Sequence, residues 1–392
     1  MTTLRPVPRR GVPGVASSGR LVGVDVARSL ALFGMMAAHV GDVAENVDWA
    51  DPTSFGAVVN GRSAALFAVL AGVSIGLVSG RDRPPGPPDI GRVRARLALR
   101  AVVVVVVGLL LMTLQTPVYV VLPTYGALFL LALPVLRWRP WALLLLAVAC
   151  AVAAAPVALA ILPLYAEAGM FGVQLGLVYP VVTFATYVLV GLAVARSRPG
   201  SAPPTPGRHA SGAWAVLVGG DSMRQVLLLV SGIVVAAAAY LIGNATAPIP
   251  SDTTYAFPGV PFVPSGSDAG QTFAQVFLSP LDHSSSIVDV AGTAAVAVAV
   301  IALCRLLVDG HGPFVTRIAF PLAAVGSMPL TVYALHLVVI ALWPDMPQGP
   351  STWWGFVVGA VLFAMVWRRF LGRGPLERLT ARIASAVPAP TS

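Results

Sequence analysis

The sequence predicts an all-α polytopic integral membrane protein, a bundle of about ten transmembrane helices with cytoplasmic N- and C-termini. Three observations carry this. First, the 392 residues are 57% hydrophobic and only 10% charged, where a soluble domain has about 25% charged residues. Mean hydropathy is +0.83. Second, apolar runs lie near 21–41, 58–79, 97–115, 121–136, 141–162, 173–195, 225–245, 287–308, 319–343 and 353–371. Most approach the roughly 20 residues needed to cross a bilayer. Third, with the N-terminus placed inside, all of the 25 basic residues except Arg28 and Arg62 fall on the cytoplasmic side. The outer loops hold acids instead, among them Asp42, Asp48, Asp51, Asp282 and Asp345. Basic residues gather at cytoplasmic span ends, and a wrong span count would scatter them.

Composition also excludes. Every basic residue is Arg, so lysine nucleophiles, Schiff bases and phosphate-binding loops that need Lys are ruled out. The net charge of +9 is accounted for by topology, and no nucleic-acid partner is expected. Cys150 and Cys304 sit in apolar runs and read as small core residues, so neither a disulfide nor a metal site is expected.

Residues 1–19, rich in Pro, Gly and Arg, read as a disordered basic tail before a transmembrane domain at 20–372. The first span, RLVGVDVARSLALFGMMAAHVG, is the most informative stretch. It carries Asp25, Arg28 and His39 within an otherwise apolar helix. Ionisable groups at membrane depth are costly, rare and usually face a protein interior or a wet cavity. Asp25 and Arg28 are three apart on one helical face and can pair. His39 follows Arg28 by three turns, about 16 Å further along roughly the same face. A signal peptide with Arg20 as its flank is the plainer alternative, but a cleaved peptide has no use for a buried Asp–Arg pair. The third run, AVVVVVVGLLLM, is apolar all round. The fourth, with Pro123 and Pro134, is short. Segments 80–96 and 196–224 are Pro- and Gly-rich inner connectors. The outer loop 246–286 is too long for a simple connector and is expected to cover an outward cavity. Residues 373–392 read as a cytoplasmic amphipathic tail.

Four further residues are candidates for binding a substrate. Arg62 is the one arginine on the outer side. It either binds an anion, pairs with Asp42, Asp48 or Asp51, or snorkels to the interface. His283, in DHSSS, is either a site residue or a solvated loop histidine. His336, with Tyr333 one turn before it, lies mid-membrane and is either functional or satisfied by a carbonyl. For His39, an imidazole near its reference pKa of about 6.5 suits proton removal from a hydroxyl or amine. Any acceptor would equally satisfy a structural His there.

The run Arg20 to His39 resembles the opening of the heparan-α-glucosaminide N-acetyltransferase-like membrane proteins. The stretches 61–77, 282–286, 323–339 and 374–379 resemble its bacterial branch. That family is similar to the type 3 membrane acyltransferases, where an Arg and a His on the first helix are the hallmark; Arg28 and His39 fit. The resemblance implies transfer of an acyl group, often acetyl from acetyl-CoA, to a glycan or another polar envelope acceptor. It makes His39 the general base, with Arg28, paired to Asp25, positioning the donor or holding the helix. It implies a multi-pass protein of a bacterial cytoplasmic membrane, with oligomers open. In the animal lysosomal enzymes the position of His39 is Asn and a working His follows in the next loop; here residues 40–60 hold no His. The arginines at 92–100 and 196–208 are candidates for CoA phosphates or simple topology determinants. Two rival readings stand beside this. One is a transporter or exporter whose path uses Asp25, Arg28 and His336. The other is an inactive scaffold.

Overall fold

The computed structural model describes residues 21–44, 47, 51–87, 89–167, 172, 178–197, 220–247 and 269–388. The expected basic tail at 1–19 lies outside them, as do most of the 196–224 connector and of the 246–286 loop. Among the described residues the regular structure is helical, with no strand. In order it runs α1 Val22–Val40, a 3-10 turn Pro52–Val59, α2 Arg62–Val78, α3 Asp89–Met112, α4 Leu122–Leu131 and α5 Pro140–Glu167. There follow α6 Val181–Arg196, α7 Gly220–Thr246, α8 Ala269–Leu278, α9 Ile287–Val308 and α10 Pro313–Ile318. The chain closes with α11 Phe320–Gly326, α12 Pro329–Leu342, α13 Pro350–Phe370 and α14 Pro375–Ala384.

Six helical stretches are long and apolar enough to cross a membrane, seven if α11 and α12 count as one bent span. The expected run of about ten is not reached by this measure, for three physical reasons. In α1, Asp25, Arg28 and His39 lower the mean hydropathy of an otherwise suitable helix. The runs 121–136 and 173–195 yield only the shorter apolar helices α4 and α6. The run 319–343 is not one straight span: it breaks between α11 and α12 with an 81° bend. Pro329 opens α12, where its missing N–H costs nothing and its fixed φ suits a first turn.

α1 lies at the centre, against α2, α9, α11 and α13. Its Ala27 and Ala31 are fully buried. Around it, Pro52–Val78 and Ile287–Val308 bury 61% and 67% of their apolar stretch, against 22% for Asp221–Thr246 and 11% for Pro350–Phe370. The first two are inner helices; the last two turn most of their surface outward. α2 and α6 cross at reciprocal glycines. A Cβ on Gly72 would meet the Val188 carbonyl at 2.0 Å, and one on Gly191 the Val69 carbonyl at 1.9 Å. Small residues at such crossings let membrane helices approach backbone to backbone.

One end of the bundle is closed by guanidinium groups. Arg305 Nε donates to Asp309 Oδ2 at 2.9 Å and its Nη2 to Asp221 Oδ2 at 2.7 Å. The other oxygen of Asp309 accepts from Gly23 N at 2.8 Å, capping the start of α1 from another helix. Arg196 donates to the Arg81 carbonyl, the Ser79 hydroxyl and the Leu136 carbonyl. Arg94 and Arg96 donate to the carbonyls of Leu133 and Val387, and Arg92 pairs with Asp89 at 2.9 Å. Of the arginines considered for CoA phosphates, Arg94, Arg96 and Arg196 are therefore engaged in tying segments together through backbone carbonyls, and Arg92 pairs within its own helix. Arg198 and Arg208 lie outside the described residues. α14 packs against α3 and α12. Cys150 and Cys304 are free thiols, half-buried and buried.

Candidate functional site

The opposite end of the bundle holds a cavity of about 430 Å³. His39 reaches it from the last turn of α1, and Asp282 and His283 from the segment before α9. Gly61, Tyr119 and Tyr179 complete the wall. The C-terminus of α1 and the N-termini of α2 and α9 meet here, so His39, Arg62 and His283 come from neighbouring helix ends.

Local sequence explains how His283 is held. Ser286 caps α9, its Oγ accepting from Asp289 N at 3.0 Å and donating to the Ser279 carbonyl at 2.5 Å. Thr183 Oγ1 donates to Ser285 Oγ at 2.9 Å. The tight turn between puts His283 at φ +58° and Ser285 at φ +57°, a left-handed conformation that costs non-glycine residues free energy and concentrates at functional sites. Gly61 lies opposite, itself at φ +64°, and a Cβ there would stand 3.3 Å from His283 Nε2. His283 is half-buried, not a solvated loop residue. Burial pushes its pKa below the ordinary value, and the charge of Arg62 acts the same way; Asp282 and the Val178 carbonyl oppose them. At neutral pH it is a neutral imidazole.

His39 is half-buried, and its Nδ1 lies 3.0 Å from His336 Nε2. The sequence places His336 mid-membrane, apart from His39; the bend before α12 instead brings it level with the end of α1. His336 is 3% exposed. Its Nδ1 has the backbone carbonyls of Val332 and Tyr333 beside it and makes no regular hydrogen bond. With only acceptors on that side, the proton of His336 belongs on Nδ1, so Nε2 offers its lone pair to His39 Nδ1–H. That leaves the lone pair of His39 on Nε2. Tyr333 is 2% exposed and is not part of this cavity's wall; its ring meets His336 edge-on at 5.0 Å and its hydroxyl accepts from Val121 N at 3.3 Å. It holds His336 and the α4 approach in place rather than meeting a substrate.

The remaining candidates lie elsewhere. Of the acids near it in sequence, Asp51 is occupied by Thr53 N at 2.9 Å and Thr53 Oγ1 at 2.7 Å, and Asp48 lies outside the described residues. Arg62 stacks 5.1 Å from the Tyr240 ring centre and donates from Nε to its hydroxyl at 3.2 Å. Tyr240 bonds Thr293 at 3.0 Å, and Thr293 donates to Asp289 Oδ1 at 3.2 Å. Asp282 and Asp289 supply the nearby negative charge. Asp25 and Arg28 are paired at 2.5 Å, with Arg28 Nη2 also on Ser74 Oγ at 2.7 Å. They fasten α1 to α2 three turns from His39 and do not reach the cavity. Asp289 and Tyr240 are the parts that sequence reasoning misses. An acid two residues into the apolar run IVDVAG is a signal; for Tyr240 no signal exists. Among the described residues no three His, Cys, Asp or Glu side chains gather as metal ligands would.

A half-buried imidazole with a fixed tautomer, beside a cavity that also presents Asp282 and His283, can accept a proton from a hydroxyl or amine. His283 and Asp282 face the same space and can hold a polar group. No curated protein matches the chain. His283, His336 and the stretches 282–286, 323–339 and 374–379 lie beyond the part that a family model covers. Residues 20–205, the α1–α6 portion that supplies His39, Arg62 and both cavity tyrosines, match the model of the family described as Heparan-alpha-glucosaminide N-acetyltransferase, catalytic.

Proposed function

We propose that the protein is a membrane acyltransferase in which His39 is the general base. The observation that carries this is the His39–His336 hydrogen bond at 3.0 Å, which leaves His39 Nε2 as an acceptor at the wall of the cavity that Asp282 and His283 share. The family supplies the donor, an acyl-CoA, with acetyl the simplest acyl group. The acceptor, a glycan or other polar envelope molecule, enters the cavity and hydrogen-bonds Asp282 and His283. His39 Nε2 takes the proton from its hydroxyl or amine as that atom attacks the thioester carbonyl. The new C–O or C–N bond forms, the C–S bond breaks, and the proton passes to the departing thiolate. His336 keeps His39 in the productive tautomer and stabilises the imidazolium, the part an acid plays in hydrolytic triads.

The topology belongs to the same reading. The six spans, the bent pair, α1 and the two shorter apolar helices together make ten crossings, which put both termini on one face. The arginines tying helix ends mark that face as cytoplasmic, in a bacterial plasma membrane. The cavity then opens on the outer side.

The test uses the purified full chain in nanodiscs with radiolabelled acetyl-CoA, wild type against His39→Ala. Free CoA and label on added envelope glycans are measured. His39-dependent transfer is the expected result. Equal transfer by the variant removes His39 as the base. No transfer with several donors, together with proton-driven flux of an unmodified solute in vesicles, replaces the enzyme by a transporter.

A further inference from the structure

At the fastened end of the bundle, α1, α2, α6, α7 and α9 enclose a small cavity of about 60 Å³. Its wall has two layers. Arg81, Arg224 and Arg305 line the layer at the helix ends, together with Gln225. Aliphatic side chains line the layer one turn inward: Leu77 in the last turn of α2, Leu228 four residues after Arg224, and Ile301 four residues before Arg305. Four residues of helix advance about 6 Å, so the cavity is polar at its outer end and apolar that far in. Three guanidinium groups on this wall meet one carboxylate, Asp221. It lies 2.7 Å from Arg305 Nη2 and 3.7 Å from Arg224 Nη1, with its side chain 60% exposed at the rim. Asp309 is committed elsewhere, to Arg305 Nε and Gly23 N. Gln225 is 3% exposed, and its Nε2 has no hydrogen-bond partner among the described residues. A buried donor left unmade costs free energy, and so does buried positive charge without its counter-charge. One small anion would relieve both.

We propose that this cavity binds a short-chain monocarboxylate, with its two oxygens toward Gln225 Nε2 and the guanidinium layer and its alkyl end against Leu77, Leu228 and Ile301. Three observations select this class. The volume is only about twice the roughly 30 Å³ that one water takes in the liquid, too little for a nucleotide or a pantetheine arm. The inner layer offers no hydrogen bond, so a phosphate, which carries oxygens on every side, would press one of them against carbon without a donor. Asp221 already presents a carboxylate to Arg305 and Arg224 at the rim, which is how these guanidinium groups receive one. The ligand undergoes no reaction here. It adds a further anion to the contacts that join α7 to α2 and α9, and its binding does not depend on acyl transfer.

The test is equilibrium binding of radiolabelled propionate to the purified full chain in detergent, with no acyl donor present and the melting temperature read alongside. The expected result is saturable binding at millimolar concentration or below and a melting temperature that rises with propionate. Inorganic phosphate and chloride at equal ionic strength should compete about tenfold less well. Gln225→Leu removes the orphan donor at similar volume. It should weaken propionate binding about tenfold, as loss of a hydrogen bond to a charged group does, while the unliganded melting temperature holds or rises. Asp221→Asn, at an exposed position, removes a like charge from the rim and should tighten binding about threefold. If Gln225→Leu does not fold, the response of Asp221→Asn decides alone. No saturable binding, or binding indifferent to both substitutions, overturns the site. Phosphate or chloride binding as tightly as propionate overturns the carboxylate assignment.

Discussion

The two ends of α1 lie on one helix and treat polar groups in opposite ways. At its start every charge is closed: Asp25 on Arg28, Arg28 on Ser74, Gly23 N on Asp309, Asp309 on Arg305. At its finish His39 is held from behind by His336 and faces a cavity of about 430 Å³. The charge-dense end is where an observer of composition alone would look for chemistry, and it is a fastening. The end with little formal charge keeps an unspent lone pair. Charges at membrane depth must be neutralised by partners, and a partnered charge has little left to offer a substrate. A neutral imidazole carries no such obligation.

This contrast can be broken most sharply at His39. His39→Ala should lower transfer by about 10²- to 10⁴-fold, the usual share of general acid–base catalysis, with a melting temperature within a few degrees of wild type. Radiolabel transfer and a thermal melt on one preparation check both halves. Arg305→Leu should do the reverse. It strands Asp309 against the start of α1 and should cost about 3 kcal/mol of stability, read as the unfolding midpoint in mixed detergent. Activity should survive in the fraction that stays folded. Wild-type stability in that variant would mean the fastened end is not one.

A smaller effect sharpens the assignment of roles. His336→Gln can still accept from His39 Nδ1–H, whereas His336→Ala cannot. We expect about a tenfold fall in kcat for Ala, with KM unchanged and partial recovery in Gln. Nitrogen-15 spectra should show His39 as a single Nδ1–H tautomer in wild type and a mixture in Ala. A purely structural His336 would lower both variants alike without touching the tautomer. The smallest effect is on pH. Burial holds the pKa of His283 below its ordinary value, so below about pH 6.5 the unfolded chain takes a proton that the folded one resists. Stability should fall as pH drops through that window, and His283→Gln should flatten part of the slope. An unchanged acid slope between pH 7.5 and 5 would show that His283 is freely hydrated.

Much of the fold was legible because lipid imposes strict rules. Length and hydropathy found the long spans, and α1 stood out by its three ionisable residues. The bend before α12 was not legible: GSMPL reads as an ordinary start after a short run, and only packing decides whether a proline kinks a span or begins a new one. That single misreading separated His336 from His39 on paper. The sequence offers Arg62 the nearest acids, Asp42, Asp48 and Asp51, because nothing in the chain announces that the Tyr240 ring of α7 will lie 5.1 Å from it. Asp289 was legible in principle and overlooked because it falls at the edge of an apolar run. Topology puts His39 and His283 at one end of the bundle; that they line one cavity and that His336 orients His39 were not legible.

The helix that carries His336 receives its cap from far downstream. Glu377 accepts from Leu330 N at 2.8 Å and Thr331 N at 3.1 Å, and from the Thr331 hydroxyl at 2.5 Å. Thr331 and Glu377 are 46 residues apart. A growing chain makes the start of α12 before the carboxylate that caps it. Through that interval the first backbone amides of α12 lack their acceptor, and His336 has no fixed seat. Residues made late thus complete the seat of a histidine that bonds the first helix.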